Sequence, residues 1–116
     1  MFRRLTTMMI AAAALMLSTA AFAQDKAVID KGVKVYADQK CAMCHSIEGK
    51  GAAKGALDGV GSKLTAEQIR AWIVTPKEMT VKMKATRVPA MKAYPTLPKE
   101  DLDAVVAYML SLKKKT

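Results

Sequence analysis

Histidine occurs once in this 116-residue chain, at His45, and cysteine only twice, at Cys41 and Cys44. Three such groups fall short of the four ligands that a tetrahedral zinc site requires. Two cysteines separated by two residues close too short a loop to clamp a fold, and that spacing usually signals chemistry. Acidic side chains are scarce, 10 against 19 basic ones, and aromatic residues make up only 5% of the chain. No stretch alternates with a period of two for long enough to predict a sheet, and no internal repeat is visible. The longest apolar run, Met8 to Leu17, falls short of the roughly 20 residues that span a bilayer.

That run has a different meaning in its context. Arg3 and Arg4 precede it, and Ala21-Phe22-Ala23 follows with small residues at alternate positions. This is the pattern of a general export signal cut after Ala23. The expected organisation is a signal peptide over 1–23 and one small domain over 24–116. The Arg pair contributes only two of the basic side chains, so the exported part stays basic. Nucleic acid is then an unexpected partner, and anionic membranes or acidic proteins are the plausible ones.

The exported part reads as all-α, with about four short helices and two long loops. The first helix is predicted from about Lys26 to Gln39, with Asp25 or its neighbours as cap. Ile29, Gly32, Val33 and Tyr36 form its apolar stripe. Five glycines between Gly49 and Gly61 mark a loop wrapped around something. A second helix starts at Thr65, where Thr65-Ala66-Glu67-Gln68 has the form of a capping box. Ile69, Trp72 and Ile73 make its inner face, and Pro76 ends it and restarts a short helix. Thr80 to Leu97 is predicted to be irregular, and a loop of that length in so small a domain usually serves function. The last helix is expected from Pro98 to about Lys114, with Leu102, Val105, Val106, Met109 and Leu112 inward and Lys113 to Lys115 at the negative end of its dipole.

Cys41-Ala42-Met43-Cys44-His45 is the sequence signature of covalent haem attachment. Residues three apart on a helical turn share a face, so both thiols can reach the two vinyl groups of one porphyrin. His45 then lies beneath the ring as the proximal iron ligand, and no other imidazole exists to take that place. A thioredoxin-like dithiol would follow a strand, and none is predicted before Cys41. One covalent haem c is the expected cofactor.

A closed haem needs a second axial ligand, and thioether sulfur is a suitable one. Met43 lies inside the motif and Met109 on the inner face of the last helix. Met79, Met83 and Met91 remain as candidates. The segment Arg87-Val88-Pro89-Ala90-Met91-Lys92-Ala93-Tyr94 resembles the ligand loop of class I c-type cytochromes, where a Pro-x-Met stretch precedes an aromatic. Gly32, Tyr36, the haem motif, Gly55 to Gly61, Trp72 and Leu102 to Leu112 with Tyr108 resemble further landmarks of that family. The resemblance implies the cytochrome c fold, with N- and C-terminal helices crossing beside the haem, and Met91 as sixth ligand. It also implies a contact from Trp72 to a haem propionate, against which stands simple core filling. Where the family often has Gly-Pro after the motif, this chain has Gly55-Ala56, so an alanine carbonyl is a candidate acceptor for the axial histidine.

The function these readings imply is a monomeric periplasmic electron carrier rather than an enzyme. Its partners would be a membrane-bound reductase and a terminal oxidase or periplasmic reductase. An open-iron enzyme or gas-binding protein is the alternative, against which stand the lack of a distal acid–base group and the placement of Met91. Lys82, Lys84, Arg87 and Lys92 around the ligand loop are either a docking ring for an acidic partner or an ordinary solvated surface.

Overall fold

The computed structural model describes residues 25–115, so the export signal lies outside the described residues. The first helix, α1, covers 25–38, and Asp25 is already helical within it. A 3-10 turn at Cys41–Met43 follows, then two very short antiparallel strands, β1 at Ser46–Ile47 and β2 at Lys50–Gly51. Four helices complete the chain: α2 at Val60–Lys63, α3 at Ala66–Val74, α4 at Pro76–Lys82 and α5 at Lys99–Ser111. Among the described residues the architecture is mostly helical, with five helices instead of the four expected and only this small sheet, in keeping with the fold that the resemblance implies. The additional one, α2, is a single turn entered through Gly59 at φ 76°, inside the stretch expected to be loop.

Gly32 is the point on which α1 and α5 cross. A Cβ on it would collide with the carbonyl of Ala104 and lie 2.7 Å from Cβ of Tyr108. Backbone meets backbone there, and the close approach fixes which side of α1 turns inward. Val35, one turn on, is buried at 7% exposure, whereas Val33 is 44% exposed. The predicted stripe is thus corrected from Val33 to Val35; both satisfy a three- or four-residue step, and the crossing decides between them. Tyr36 and Tyr108 flank the crossing edge to face, with centroids 5.8 Å apart.

The capping box at Thr65 is present as read. Thr65 N donates to Gln68 Oε1 at 2.9 Å, and Gln68 N donates to Thr65 Oγ1 at 3.2 Å. Two of the helix's early N–H groups are satisfied within the motif or its neighbour, which fixes the start of α3. Ile69 and Ile73 then pack with Val35, Val105, Val106 and Met109 as the core. Pro76 occupies the first turn of α4, as the sequence predicts.

The end of α5 differs from expectation. It stops at Ser111, and the Leu112 carbonyl accepts from Gly61 N at 2.9 Å. Lys113 Nζ donates to the Gly61 carbonyl at 2.9 Å instead of extending the last helix. The terminal lysines therefore fasten α2 to α5. Gly61 permits this, since a Cβ would strike the Leu110 carbonyl.

Candidate functional site

α1 hands the chain to the cysteine motif through Lys40, whose φ of 57° is left-handed. In the turn that follows, Cys44 N and His45 N both donate to the Cys41 carbonyl, at 3.1 and 3.0 Å. Both thiols are free, Cys41 half-buried and Cys44 exposed. Burial pushes the Cys41 thiol up from its ordinary value, so it stays protonated near neutrality.

His45 Nδ1 lies 2.9 Å from the carbonyl oxygen of Gly55. Desolvation lowers the pKa of the imidazole, and the nearby Arg87 charge adds to that, while the Gly55 bond opposes it. The net direction favours a neutral ring. With Nδ1–H donating to a carbonyl, the lone pair resides on Nε2, the tautomer a metal ligand needs.

The acceptor is Gly55, not Ala56. Ser46 N donates to the Gly55 carbonyl and Leu57 N to the Ser46 carbonyl, a parallel bridge that pairs Ser46 with Ala56. That bridge turns the Gly55 carbonyl toward the histidine side. Glycine is required there, since φ is +79° and a Cβ would strike the Cys44 carbonyl and the Arg87 guanidinium.

Tyr36, Cys41, His45, Trp72, Met91 and Met109 share the wall of one cavity of about 200 Å³, otherwise lined by aliphatic side chains. A second cavity of about 140 Å³ adjoins it and is walled by Cys44 as well as by Cys41, His45, Trp72 and Met91. Two thiols, one imidazole and the thioethers of Met91 and Met109 therefore border two adjoining cavities, Cys44 and the basic side chains Lys40, Arg87 and Lys92 only the second. Met79 is buried against the core, and Met83 is 45% exposed. Neither borders these two cavities. Met109 does, although its position on α5 also makes it part of the core.

Two contributions were not visible in the sequence. The Tyr36 hydroxyl is buried and has no hydrogen-bond partner among the described residues. Burial first, then the negative charge of Cys41 when it is ionised, push its pKa up to about 12. Tyr94 ties down the loop that carries Met91: its N–H donates to the Ile73 carbonyl at 2.8 Å and its hydroxyl to the Gln39 carbonyl at 3.3 Å.

Among the described residues no three Cys, His, Asp or Glu side chains converge to hold a metal ion by themselves. A zinc reading therefore has no support. A flat apolar group that takes up two thiols would be held by Cys41 and Cys44, with the His45 imidazole on the same wall. An orphaned hydroxyl at that wall is consistent with a polar group arriving with that ligand.

A family model for cytochrome c matches residues 29–113. The chain belongs to the cytochrome c family. It is also 32% identical over 93 residues to cytochrome c oxidase subunit 2 of Alkalihalophilus pseudofirmus, across 72% of this chain and 25% of that protein. The chain thus spans about a quarter of the length of that relative. No solved structure matches it. Members of the cytochrome c family bind haem c covalently, and Cys41 and Cys44 provide the spacing for one such attachment. When bound, haem c supplies a one-electron Fe(III)/Fe(II) couple. Cys41 and Cys44 would hold the group, and the apolar lining of the first cavity would shield it from water.

Proposed function

We propose that this protein is a small exported electron carrier, not an enzyme, with His45 and Met91 as the two axial ligands of one haem c. The observation that carries the reading is the shared cavity: His45, with Nδ1 tied to Gly55, and Met91 border the same apolar recess. Both axial positions are then filled, which leaves no site for a substrate on iron. Trp72 borders both cavities, which supports a propionate contact for its indole N–H.

Residues 1–23 act as the export signal in this reading, and 24–116 work in the periplasm as a monomer. Arg3, Arg4, the Met8 to Leu17 run and Ala21-Phe22-Ala23 support it. Among the described residues no helix is long and apolar enough to cross a membrane. A membrane-bound reductase would supply the electron. The relative is named as a subunit of cytochrome c oxidase, which favours a terminal oxidase over a periplasmic reductase as the acceptor. The basic surface suits an acidic docking face or an anionic membrane.

The test is the spectrum of the haem-loaded protein in both redox states, for wild type and Met91→Ala. The weak far-red ferric band of thioether-ligated iron is expected in wild type and absent from the variant. A wild-type haem that is high-spin and binds added ligands freely would sink the carrier reading in favour of an open-iron protein. A band that survives the substitution would move the sixth ligand to another methionine.

A further inference from the structure

The loop that carries Met91 has little of its own to hold it. Among the described residues, no backbone hydrogen bond fastens the chain between Ala85, whose N–H donates to the Thr80 carbonyl, and Tyr94, whose N–H donates to Ile73. Every residue from Val81 to Ala90 is exposed. Inside this stretch one side chain reaches across to the other side of the site. Arg87 Nη2 donates to the Cys44 carbonyl, 43 residues earlier in the chain, at 2.5 Å.

The same guanidinium covers Gly55. Its Nη1 and Cζ occupy the space where a Cβ on Gly55 would project. Arg87 thus touches the residue before His45 and also the glycine whose carbonyl orients that histidine. No carboxylate pairs with it among the described residues. Its polar contact is spent on the backbone of the haem-attachment turn.

The geometry points to Arg87 as a positioning residue, a clasp that locks the Met91 loop onto the Cys44–His45 turn and so sets how readily Met91 leaves the iron. The inference rests on Met91 being the sixth ligand. A planar fork with several donors suits this place, because it can bond a carbonyl while its face lies over a glycine. A guanidinium fixed there further places a positive charge beside the axial histidine, which disfavours the ferric state.

The experiment follows imidazole binding to the ferric, haem-loaded protein, a reaction gated by release of the sixth ligand. Arg87→Gln is expected to accelerate binding about ten-fold, the loss of one charge-assisted contact, and to lower the reduction potential. Arg87→Lys is expected to restore the potential but not the binding rate, since a lysine carries the charge without the planar contact. Lys82→Gln removes a neighbouring charge and is expected to leave the rate unchanged. Amide hydrogen exchange supplies a readout independent of ligation: residues 86–93 should exchange faster in Arg87→Gln while α5 keeps its protection. Unchanged imidazole binding and unchanged loop exchange in Arg87→Gln would overturn the clasp. Full recovery of the rate by Arg87→Lys would overturn it too, leaving only a charge effect. Met91→Ala separates the two readings: if it binds imidazole no faster than wild type, the ligand assignment fails, and the exchange data alone decide whether Arg87 holds the loop.

Discussion

Gly55 presents its carbonyl to Nδ1 of His45 at 2.9 Å, and does so from a left-handed backbone at φ +79°. One glycine thereby determines the tautomer and the direction of the only imidazole in the chain. Under the proposed ligation it would also set the electron density offered to the iron, because a bonded N–H makes the ring a stronger donor.

Gly55→Ala tests this relationship. A left-handed alanine costs roughly 1–2 kcal/mol by itself, and its Cβ also strikes the Cys44 carbonyl and Arg87. A loss of about 2 kcal/mol or more is expected in denaturant titrations. The reduction potential of the surviving holoprotein should rise, since a weaker Nδ1 bond leaves a poorer donor to ferric iron. A potential equal to wild type, in a protein that has lost stability, would show that the carbonyl does not tune the ligand.

The α1–α5 crossing gives a prediction of sign. Gly32→Ala gains about 1 kcal/mol of helix propensity, but the added Cβ meets the backbone of Ala104, which cannot swing aside. Overpacking of this kind costs roughly 1–3 kcal/mol, so the net change is a destabilisation, larger for Gly32→Val. Val33→Ala, on the exposed side, should stay within about 0.5 kcal/mol of wild type. Thermal unfolding of the three variants checks these signs, and a large loss in Val33→Ala would place Val33 on the inner face.

Tyr36 makes stability depend on alkaline pH. Burial pushes its hydroxyl up to about 12 in the folded chain, from an ordinary value of 10.0. The folded state therefore keeps this proton when the unfolded state has begun to lose it. The contribution is complete below pH 10 and is lost as the pH rises toward 12. Melting temperatures of wild type and Tyr36→Phe should run parallel below pH 10, with wild type falling away faster above it. Parallel curves through pH 12 would mean that a partner in the bound haem stabilises the phenolate instead.

Much of this protein is local, and local features are legible in a sequence. The haem motif, the Thr65 capping box and the Pro76 restart each act within four or five residues, where spacing alone fixes what can bond to what. The crossing at Gly32 is half legible: the glycine marks a close approach, but only the partner helix shows which flank of α1 faces inward, and so Val33 yields to Val35. The Gly55 acceptor, the Arg87 clasp and the unpaired Tyr36 hydroxyl were out of reach. Each joins groups 10 or more residues apart or depends on what a neighbouring element fails to supply. The sequence by itself determined which side chains can hold a haem. The tertiary structure decided which of them meet, because the meeting is set by backbone carbonyls and close helix contacts that carry no residue-type signature.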